Sequence, residues 1–295
     1  MRPDEKILRG AIDMHVHTAP SLFERSVDDY QLAEMMKKYS MRGFVIKDHD
    51  SMSCGRAYYI NKLIPEVSAI GSIVLNKSVG GLNPHVVQTA IDYGAKVVWM
   101  PTNHSKHHIN YFKMANYPQL RRLKRQMIDE GLTILDDKGE ILPQVKSIVD
   151  IIAENDICLA TGHLSYEEVV KLLDQAIKSG VKRFIVTHAN WALSKLPPSK
   201  QMELMNKGAY IEYVALPCVS PIFYEQSPKE LASWIREVGS DKLILSSDLG
   251  QVASPLPPEG LRILIATLLN EGVSQEDLVK MLHENPRKLL GYEEI

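Results

Sequence analysis

Short apolar runs that suit β-strands alternate with longer stretches of helical periodicity along the chain, and the alternation repeats about eight times. This order is typical of a parallel sheet whose strands are joined by helices. In 295 residues it favours a closed (β/α)8 TIM barrel over a doubly wound sheet, and no GxGxxG motif follows the first strand. No linker rich in proline or serine divides the chain, so we expect one domain over 1–295. The predicted strands are AIDMHVH, RGFVIKDH, SAIGSIVLN, KVVWMPT, ICLATGH, RFIVTH, AYIEYVAL and KLILSSD.

The connection after the fourth strand, roughly 103–144, is longer than a barrel loop needs to be. We expect it to carry a helical insertion over 119–130 and a small appended β-hairpin in GLTILDDKGEIL. Long insertions of this kind usually form a lid or a wall of a site. The basic run over 121–126 is interpreted as a solvated helix face and not as a nucleic-acid patch. The other predicted helices cover 26–40, 85–93, 142–155, 165–180, 228–239 and 258–272.

Composition limits the class of ligand. The chain has 34 basic and 36 acidic residues, a net charge of -2 and a pI near 6.6, so no overall field would attract nucleic acid or an anionic membrane. Cys54, Cys158 and Cys218 are far apart and form no CxxC pair, which predicts reduced thiols. The first residues do not resemble a signal peptide, and no run of eighteen apolar residues occurs. We expect a soluble cytoplasmic protein with a small-molecule substrate; the oligomeric state stays open.

Four of the predicted strands end on a side chain that can bind a metal. His15 and His17 end the first strand, His163 the fifth, His188 the sixth and Asp248 the eighth. The carboxyl ends of barrel strands form the active face of such enzymes, so these side chains should lie on one rim. A period of two along each strand also predicts which neighbours share their inward face. These predicted sets are Asp13, His15 and His17; Ile157, Leu159, Thr161 and His163; Phe184, Val186 and His188; and Ile244, Ser246 and Asp248.

Each of these residues has an ordinary structural explanation when taken alone. A buried histidine is most often a hydrogen-bonded core residue, and an aspartate after a strand is commonly a helix cap. Their convergence on one rim favours a different explanation. Four imidazoles and one carboxylate make a nitrogen and oxygen donor set that suits Zn²⁺, and Fe²⁺ or Mn²⁺ less strongly.

With these motifs the chain resembles the metal-dependent amidohydrolase superfamily, in which HxH ends strand one, histidines end strands five and six, and an aspartate ends strand eight. The tail ENPRKLLGY also resembles the closing helix of several members. The resemblance implies that His15, His17, His163 and His188 are metal ligands or water-orienting groups. It implies that Asp248 is both ligand and general base. The branch it indicates is the amidohydrolase-like group, for which we name no substrate.

One departure from that family concerns the number of metal ions. Members with two ions usually carry a bridging lysine or glutamate at the end of strand four, where this chain has KVVWMPTNH. We therefore favour one ion over two, held by His15, His17, His163 and Asp248, with His188 on the attacking water. A second ion stays open if His104, His107 or His108 folds in from the insertion, or if Lys47 takes the bridging role.

Other polar residues near the rim are candidates for substrate binding. Lys47 and His49 share a face of the second strand, Asn76 ends the third, and His104 follows the fourth. Lys47 could bind a substrate carboxylate or phosphate, with Glu212 as its counter-charge, or could reach solvent. Asn76 could cap a turn instead, and the histidines of the insertion could be solvated.

The function that these residues favour is hydrolysis of a C–N or ester bond in a small polar, anionic substrate by a metal-activated water. The alternatives are a mononuclear non-oxidative decarboxylase and a phosphoesterase. The non-enzyme alternative is a binding protein that retains its metal.

Overall fold

All the predicted strands form, and all of them run parallel. The computed structural model describes residues 2–114 and 130–292. Its strands make two hydrogen-bonded groups, one of three strands and one of six, each in chain order. The strands are β1 Ile12–Val16, β2 Gly43–Ile46, β3 Ser68–Ile70, β4 Ser72–Val74, β5 Val97–Trp99, β6 Cys158–Ala160, β7 Phe184–Val186, β8 Tyr210–Val214 and β9 Leu243–Ser246.

The two groups form one closed barrel of eight strands. β3 and β4 are halves of the third barrel strand, separated by Gly71, where an added Cβ would lie 2.7 Å from Cα of Cys54. The first and last strands join at a seam: N–H of Asp248 donates to O of His15 at 2.8 Å, and N–H of His17 donates to O of Leu249 at 2.9 Å. The predicted (β/α)8 architecture is therefore confirmed.

Helices follow the strands as the alternation predicted, and several of them begin at a capping residue. Asp28 caps the second helix by accepting from N–H of Gln31 at 2.7 Å, and Ser165 caps the seventh. A short first helix, which we did not predict, packs on the eleventh. The helices are α1 Pro3–Leu8, α2 Asp29–Lys38, α3 Cys54–Leu63, α4 Pro84–Asp92, α5 Lys106–Met114, α6 Pro143–Glu154, α7 Tyr166–Ser179, α8 Pro198–Asn206, α9 Leu216–Val219, α10 Pro228–Val238, α11 Pro257–Asn270, α12 Gln275–Val279 and α13 Asn285–Leu290.

The insertion after β5 is only partly described. The helix predicted over 119–130 lies outside the described residues except for Glu130, as does the basic run over 121–126. The predicted hairpin is present as a tight turn with one antiparallel bridge, between Leu135 and Ile141. The turn is anchored to α7 by Glu168, whose Oε1 accepts from Oγ1 of Thr133 at 2.7 Å.

The barrel interior differs from the faces that simple alternation predicted. Ile12 and Met14 pack inside the barrel with Trp99, and the register of β1 shifts between Asp13 and Val16, where Val16 packs in the outer layer. β6 and β7 also have the opposite phase, so the predicted faces of the first, fifth and sixth barrel strands are wrong. Their inward residues are Cys158, Ala160 and Ile185, whereas Ile157, Leu159, Phe184 and Val186 pack in the outer layer; Ile244 of β9 faces inward as predicted.

The tail closes the opposite end of the barrel. Leu289 and Leu290 of α13 join the interior cluster, and Nδ2 of Asn285 donates to O of Ser240 and O of Leu243. The three cysteines are buried and unpaired. Within 2–114 and 130–292, no helix combines the length and the apolar composition needed to cross a bilayer.

Candidate functional site

His15 and His17 direct their Nε2 atoms at the same carboxylate oxygen. Oδ1 of Asp248 lies 3.0 Å from Nε2 of His15 and 3.0 Å from Nε2 of His17. All three residues are buried, and their ligand atoms lie within 4.8 Å of one another. Across the described residues this is the one cluster of three or more His, Cys, Asp or Glu side chains that could hold a metal.

The other nitrogen of each ring faces an acceptor. Nδ1 of His15 lies 3.1 Å from Oε2 of Glu212, and Nδ1 of His17 lies 2.8 Å from the backbone oxygen of Lys47. Because these oxygens accept, each Nδ1 is assigned the proton, and each neutral ring then directs a lone pair from Nε2. Two nitrogen lone pairs and a carboxylate oxygen therefore converge on one point. Acceptors placed behind histidine ligands in this way are a regular feature of metal sites.

Burial and neighbouring charges set the protonation of this cluster. Burial lowers the pKa of His17 to about 3, and Arg25 adds to the effect. Burial would raise the pKa of Asp248, but His15 and His17 hold it well below its ordinary value. Burial would lower the pKa of His15, yet Asp248 and Glu212 together raise it. Asp248 therefore supplies the negative charge of the cluster, and a divalent cation bound there would be attracted by it.

The backbone is strained at two residues of the site, Asp248 and His188. Asp248 has φ 52° and His188 has φ 34°, values that residues other than glycine rarely adopt. Gly250 follows Asp248 with φ 134°, and a Cβ there would lie 1.8 Å from the backbone oxygen of His17. Strained residues of this kind cluster at functional sites, since the surrounding structure must stabilise them.

His188 has the least satisfied ring in the site. Neither of its ring nitrogens has a hydrogen-bond partner among the described residues, although both are buried. Its backbone N–H donates to Oε2 of Glu212 at 3.0 Å, and its ring lies 6.2 Å from that of His15. Burial lowers the pKa of His188 to about 3, so the ring is neutral. An unpartnered neutral imidazole is available to a water, a metal or a substrate.

His163 lies beside His188 and not in the cluster of three. Its ring is 4.8 Å from that of His188, and its Nδ1 lies 2.7 Å from Nδ1 of His108. His108 comes from α5 in the insertion, so it is the histidine of that segment that reaches the site. His107 instead pairs its Nε2 with O of Leu193 at 2.8 Å.

Lys47 lies at the centre of the site and does not reach solvent, the alternative that the sequence left open. The residue is 1% exposed, with its Nζ 2.9 Å from Nε2 of His15 and 4.5 Å from the centre of the Trp99 ring. Burial lowers the pKa of Lys47 to about 8, although Asp248 and Glu212 oppose the effect. Its ammonium therefore contacts His15, one of the candidate metal ligands.

Asn76 and His104, two of the expected substrate-binding residues, form hydrogen bonds with the loops around the site. Nδ2 of Asn76 donates to O of His49 and to Oγ1 of Thr102, and its Oδ1 accepts from N–H of Thr102 and of His104. A side-chain amide can form no hydrogen bonds beyond these four, so the expectation that Asn76 binds substrate is corrected: it connects the loops. Nδ1 of His104 accepts from N–H of Lys77 at 3.0 Å, which fixes that ring against the loop; the role of His104 in substrate binding stays a prediction.

His49 remains at the site. Its Nδ1 pairs with Oγ1 of Thr102 at 2.8 Å, and its ring stacks on that of His17 at 4.8 Å. The sequence reasoning missed the contacts of His108 and Arg25. It named Glu212 as the counter-charge of Lys47, and the two charges do stabilise each other, while the hydrogen bonds of Glu212 go to His15 and to N–H of His188. No pattern marked Arg25. The structure sets the phase of this strand: Tyr213 packs in the outer layer, so Glu212 beside it faces inward.

Comparisons with known proteins give a family and a fold. A model of a family of unknown function, DUF6282, matches residues 10–212, more than half of the chain. No curated protein matches the sequence. An amidohydrolase from Pseudomonas aeruginosa is 13% identical with a TM-score of 0.63, over 98% of each chain. The metallopeptidase dipeptidase AC is 12% identical with a TM-score of 0.63, over 96% of this chain and 98% of the other.

A third solved structure bears on the architecture. The uncharacterized TIM-barrel protein Bb4693 from Bordetella bronchiseptica is 10% identical with a TM-score of 0.56, over 96% of this chain and 99% of the other. These likenesses confirm the TIM-barrel prediction and extend the resemblance with amidohydrolases to the fold.

Proposed function

The chain belongs to the DUF6282 family, and we propose that it is a metal-dependent hydrolase that cleaves a C–N or ester bond of a small polar molecule. The observation that supports this most directly is the convergence of Nε2 of His15, Nε2 of His17 and Oδ1 of Asp248, with each Nδ1 engaged by an acceptor. Two proteins of similar fold are named as an amidohydrolase and a dipeptidase. We extend C–N bond cleavage to this chain as part of the proposal.

His15, His17 and Asp248 would hold the ion, and this set of two nitrogens and one oxygen suits Zn²⁺, with Fe²⁺ or Mn²⁺ as alternatives. When bound, such an ion supplies a Lewis acid and lowers the pKa of a water towards neutrality. We favour one ion, since Met100 and Thr102 after β5 offer no bridging carboxylate or lysine.

The remaining chemistry belongs to side chains of this barrel. Asp248 is ionised, so it accepts the proton of the attacking water and returns it to the leaving group. Neutral His188 donates a hydrogen bond to the oxyanion that develops on the attacked carbonyl, because its ring nitrogens have no other partner among the described residues. His163, fixed by His108, orients the water beside it.

The test measures metal content per chain and turnover together. Zinc would be measured in the wild type, His15→Ala, His188→Ala and Asp248→Ala, with His85→Ala on the exposed face of α4 as control. We expect one equivalent, lost with His15 or Asp248 and retained with His188 and His85. Two equivalents in the wild type would contradict the single-ion site.

Turnover would be measured on a panel of N-acyl amino acids, dipeptides and esters, before and after chelation. We expect hydrolysis that disappears on chelation, returns with zinc and is lost in Asp248→Ala. Release of carbon dioxide from the panel in place of hydrolysis would favour a decarboxylase. Full activity in the chelated protein would refute the proposal.

A further inference from the structure

One cation near the site has no role in the mechanism above. Arg25, in the loop after β1, is partly buried; its Nε donates to Oγ of Ser21 at 3.3 Å, and its guanidinium lies 5.3 Å from the centre of the Phe23 ring. No carboxylate among the described residues forms an ion pair with it. Asp248, Asp48 and Asp50 are near enough to favour its charged form without forming an ion pair with it, so its donors stay available to an anion at closer range.

The three carboxylates that favour the charged form of Arg25 also interact with other residues. Asp248 is engaged by His15 and His17. Asp48 forms an ion pair with Arg56 at 2.7 Å. Oδ1 of Asp50 accepts from Oγ of Ser78 at 2.9 Å. Arg25 therefore has carboxylates near it but none in an ion pair among the described residues, and its guanidinium donors can still bind a group that arrives from outside.

The loop of Arg25 is fixed against the metal-site strands. N–H of Ser26 donates to O of Gly250 at 2.9 Å, and Arg25 forms an antiparallel bridge with Gln251, three residues after Asp248. Arg56 holds the base of the same loop through hydrogen bonds to the backbone oxygens of residues 18, 19 and 20.

A stack of rings connects Arg25 to the candidate metal ligands. The ring of Phe23 lies 5.8 Å from that of His49, which lies 4.8 Å from that of His17. Arg25 thus stands at the mouth, on the side of His17. Its influence on the pKa of His17 agrees with this position.

Another part of the mouth is apolar. The ring of Trp191 lies 5.1 Å from that of His188 and 6.1 Å from that of His163, and the partly buried Phe223 lies 6.5 Å from Trp191. An anchor for an anion and an aromatic wall therefore adjoin the same group of histidines.

We propose that Arg25 binds a free carboxylate of the substrate while Trp191 and Phe223 receive an apolar part of it. This inference rests on the proposed function and names its substrate class, an amide or ester that carries both a carboxylate and an apolar group. Arginine suits the first task because its planar donors match the two carboxylate oxygens. Aromatic side chains suit the second, since they bury apolar surface at little entropic cost.

The test uses phenylacetate and its neutral analogue phenylacetamide as probes, titrated into metal-free and zinc-loaded protein. The variants are Arg25→Gln and Arg25→Lys, with Arg236→Gln on α10 as a control, since Nη1 of Arg236 donates to the backbone oxygen of Glu271. We expect phenylacetate to bind the wild type at least about tenfold more tightly than phenylacetamide, with the difference lost in Arg25→Gln and partly kept in Arg25→Lys. Arg236→Gln should resemble the wild type.

Equal binding of phenylacetate to the wild type and to Arg25→Gln would overturn the inference, provided that circular dichroism shows both to be folded. Tighter, Arg25-dependent binding of phenyl phosphate would overturn the assignment to a carboxylate. Trp191→Leu should reduce the advantage of phenylacetate over acetate, and an unchanged advantage would count against the aromatic wall. Because binding is also measured without metal, these outcomes are independent of the zinc and turnover tests of the proposed function.

Discussion

Replacing Glu212 by glutamine tests whether the acceptor behind His15 sets metal affinity. Oε2 of Glu212 accepts from Nδ1 of His15 at 3.1 Å and from N–H of His188 at 3.0 Å, and the residue is fully buried. The oxygen of a glutamine can keep both hydrogen bonds. The substitution therefore removes mainly the negative charge.

The magnitude follows from those two bonds. A hydrogen bond to a charged group contributes about 1.5 to 3 kcal/mol and a neutral one about 0.5 to 1.5, so losing the charge costs roughly 1 kcal/mol per bond. For two bonds we expect about 2 kcal/mol less free energy of unfolding in the metal-free protein. For zinc affinity we expect a loss of about 10- to 100-fold, the usual effect of removing such a partner of a ligating histidine.

The assay pairs urea unfolding with zinc competition against a chelator. Glu168→Gln is the matched control, because Glu168 is also buried and accepts from Thr133, Ile134 and Ser165 far along the chain from the metal ligands. It should lose stability while keeping zinc affinity. If Glu212→Gln binds zinc as tightly as the wild type, the proposed role of Glu212 behind His15 is refuted.

Two further predictions concern the backbone and pH. Gly250→Ala should abolish zinc binding, since the added Cβ would meet the backbone oxygen of His17. Gly208, at φ 113° with open space around it, is the control. Gly208→Ala should lower the free energy of unfolding in urea only by the backbone strain of about 1 to 3 kcal/mol and should keep zinc affinity. Arg262 holds the pKa of the buried Asp4 below its ordinary value of 3.8 despite burial, so the pair stabilises above about pH 4 and this contribution is lost as the pH falls through the lowered pKa. Unfolding measured from pH 7 to pH 3 should show a smaller acid loss in Arg262→Gln, and parallel curves would contradict the pairing.

The number and order of strands could be predicted from the sequence because apolar runs and turn residues are local signals. The inward faces could not. The register shift in β1 and the left-handed backbone of His188 and Asp248 break the period of two, and they depend on contacts such as that between Gly250 and the backbone of His17. The histidines reach the rim although the alternation used to place them there fails for their strands.

Residues outside the strands were harder to assign. His104 and His108 are close in sequence and chemically identical, and only the fold shows that the first binds the backbone of Lys77 and the second reaches His163. Arg25 lies in a loop whose course depends on Arg56, a residue of α3 with no sequence motif to link the two. Such pairings arise from tertiary contacts, which the periodicity and spacing of residues along the sequence do not reveal.

The position of the candidate ligands relative to the barrel seam has an energetic consequence. His15 and His17 follow the first strand and Asp248 follows the last, and the two strands are joined there by backbone hydrogen bonds. An ion held by all three residues would cross-link the ends of the sheet, a contact that the unfolded chain forms only at the entropic cost of closing a loop of more than two hundred residues. Binding to the folded state alone adds stability in proportion to the logarithm of ion concentration over Kd. The ion would therefore stabilise barrel closure by the same contacts through which it would serve the reaction.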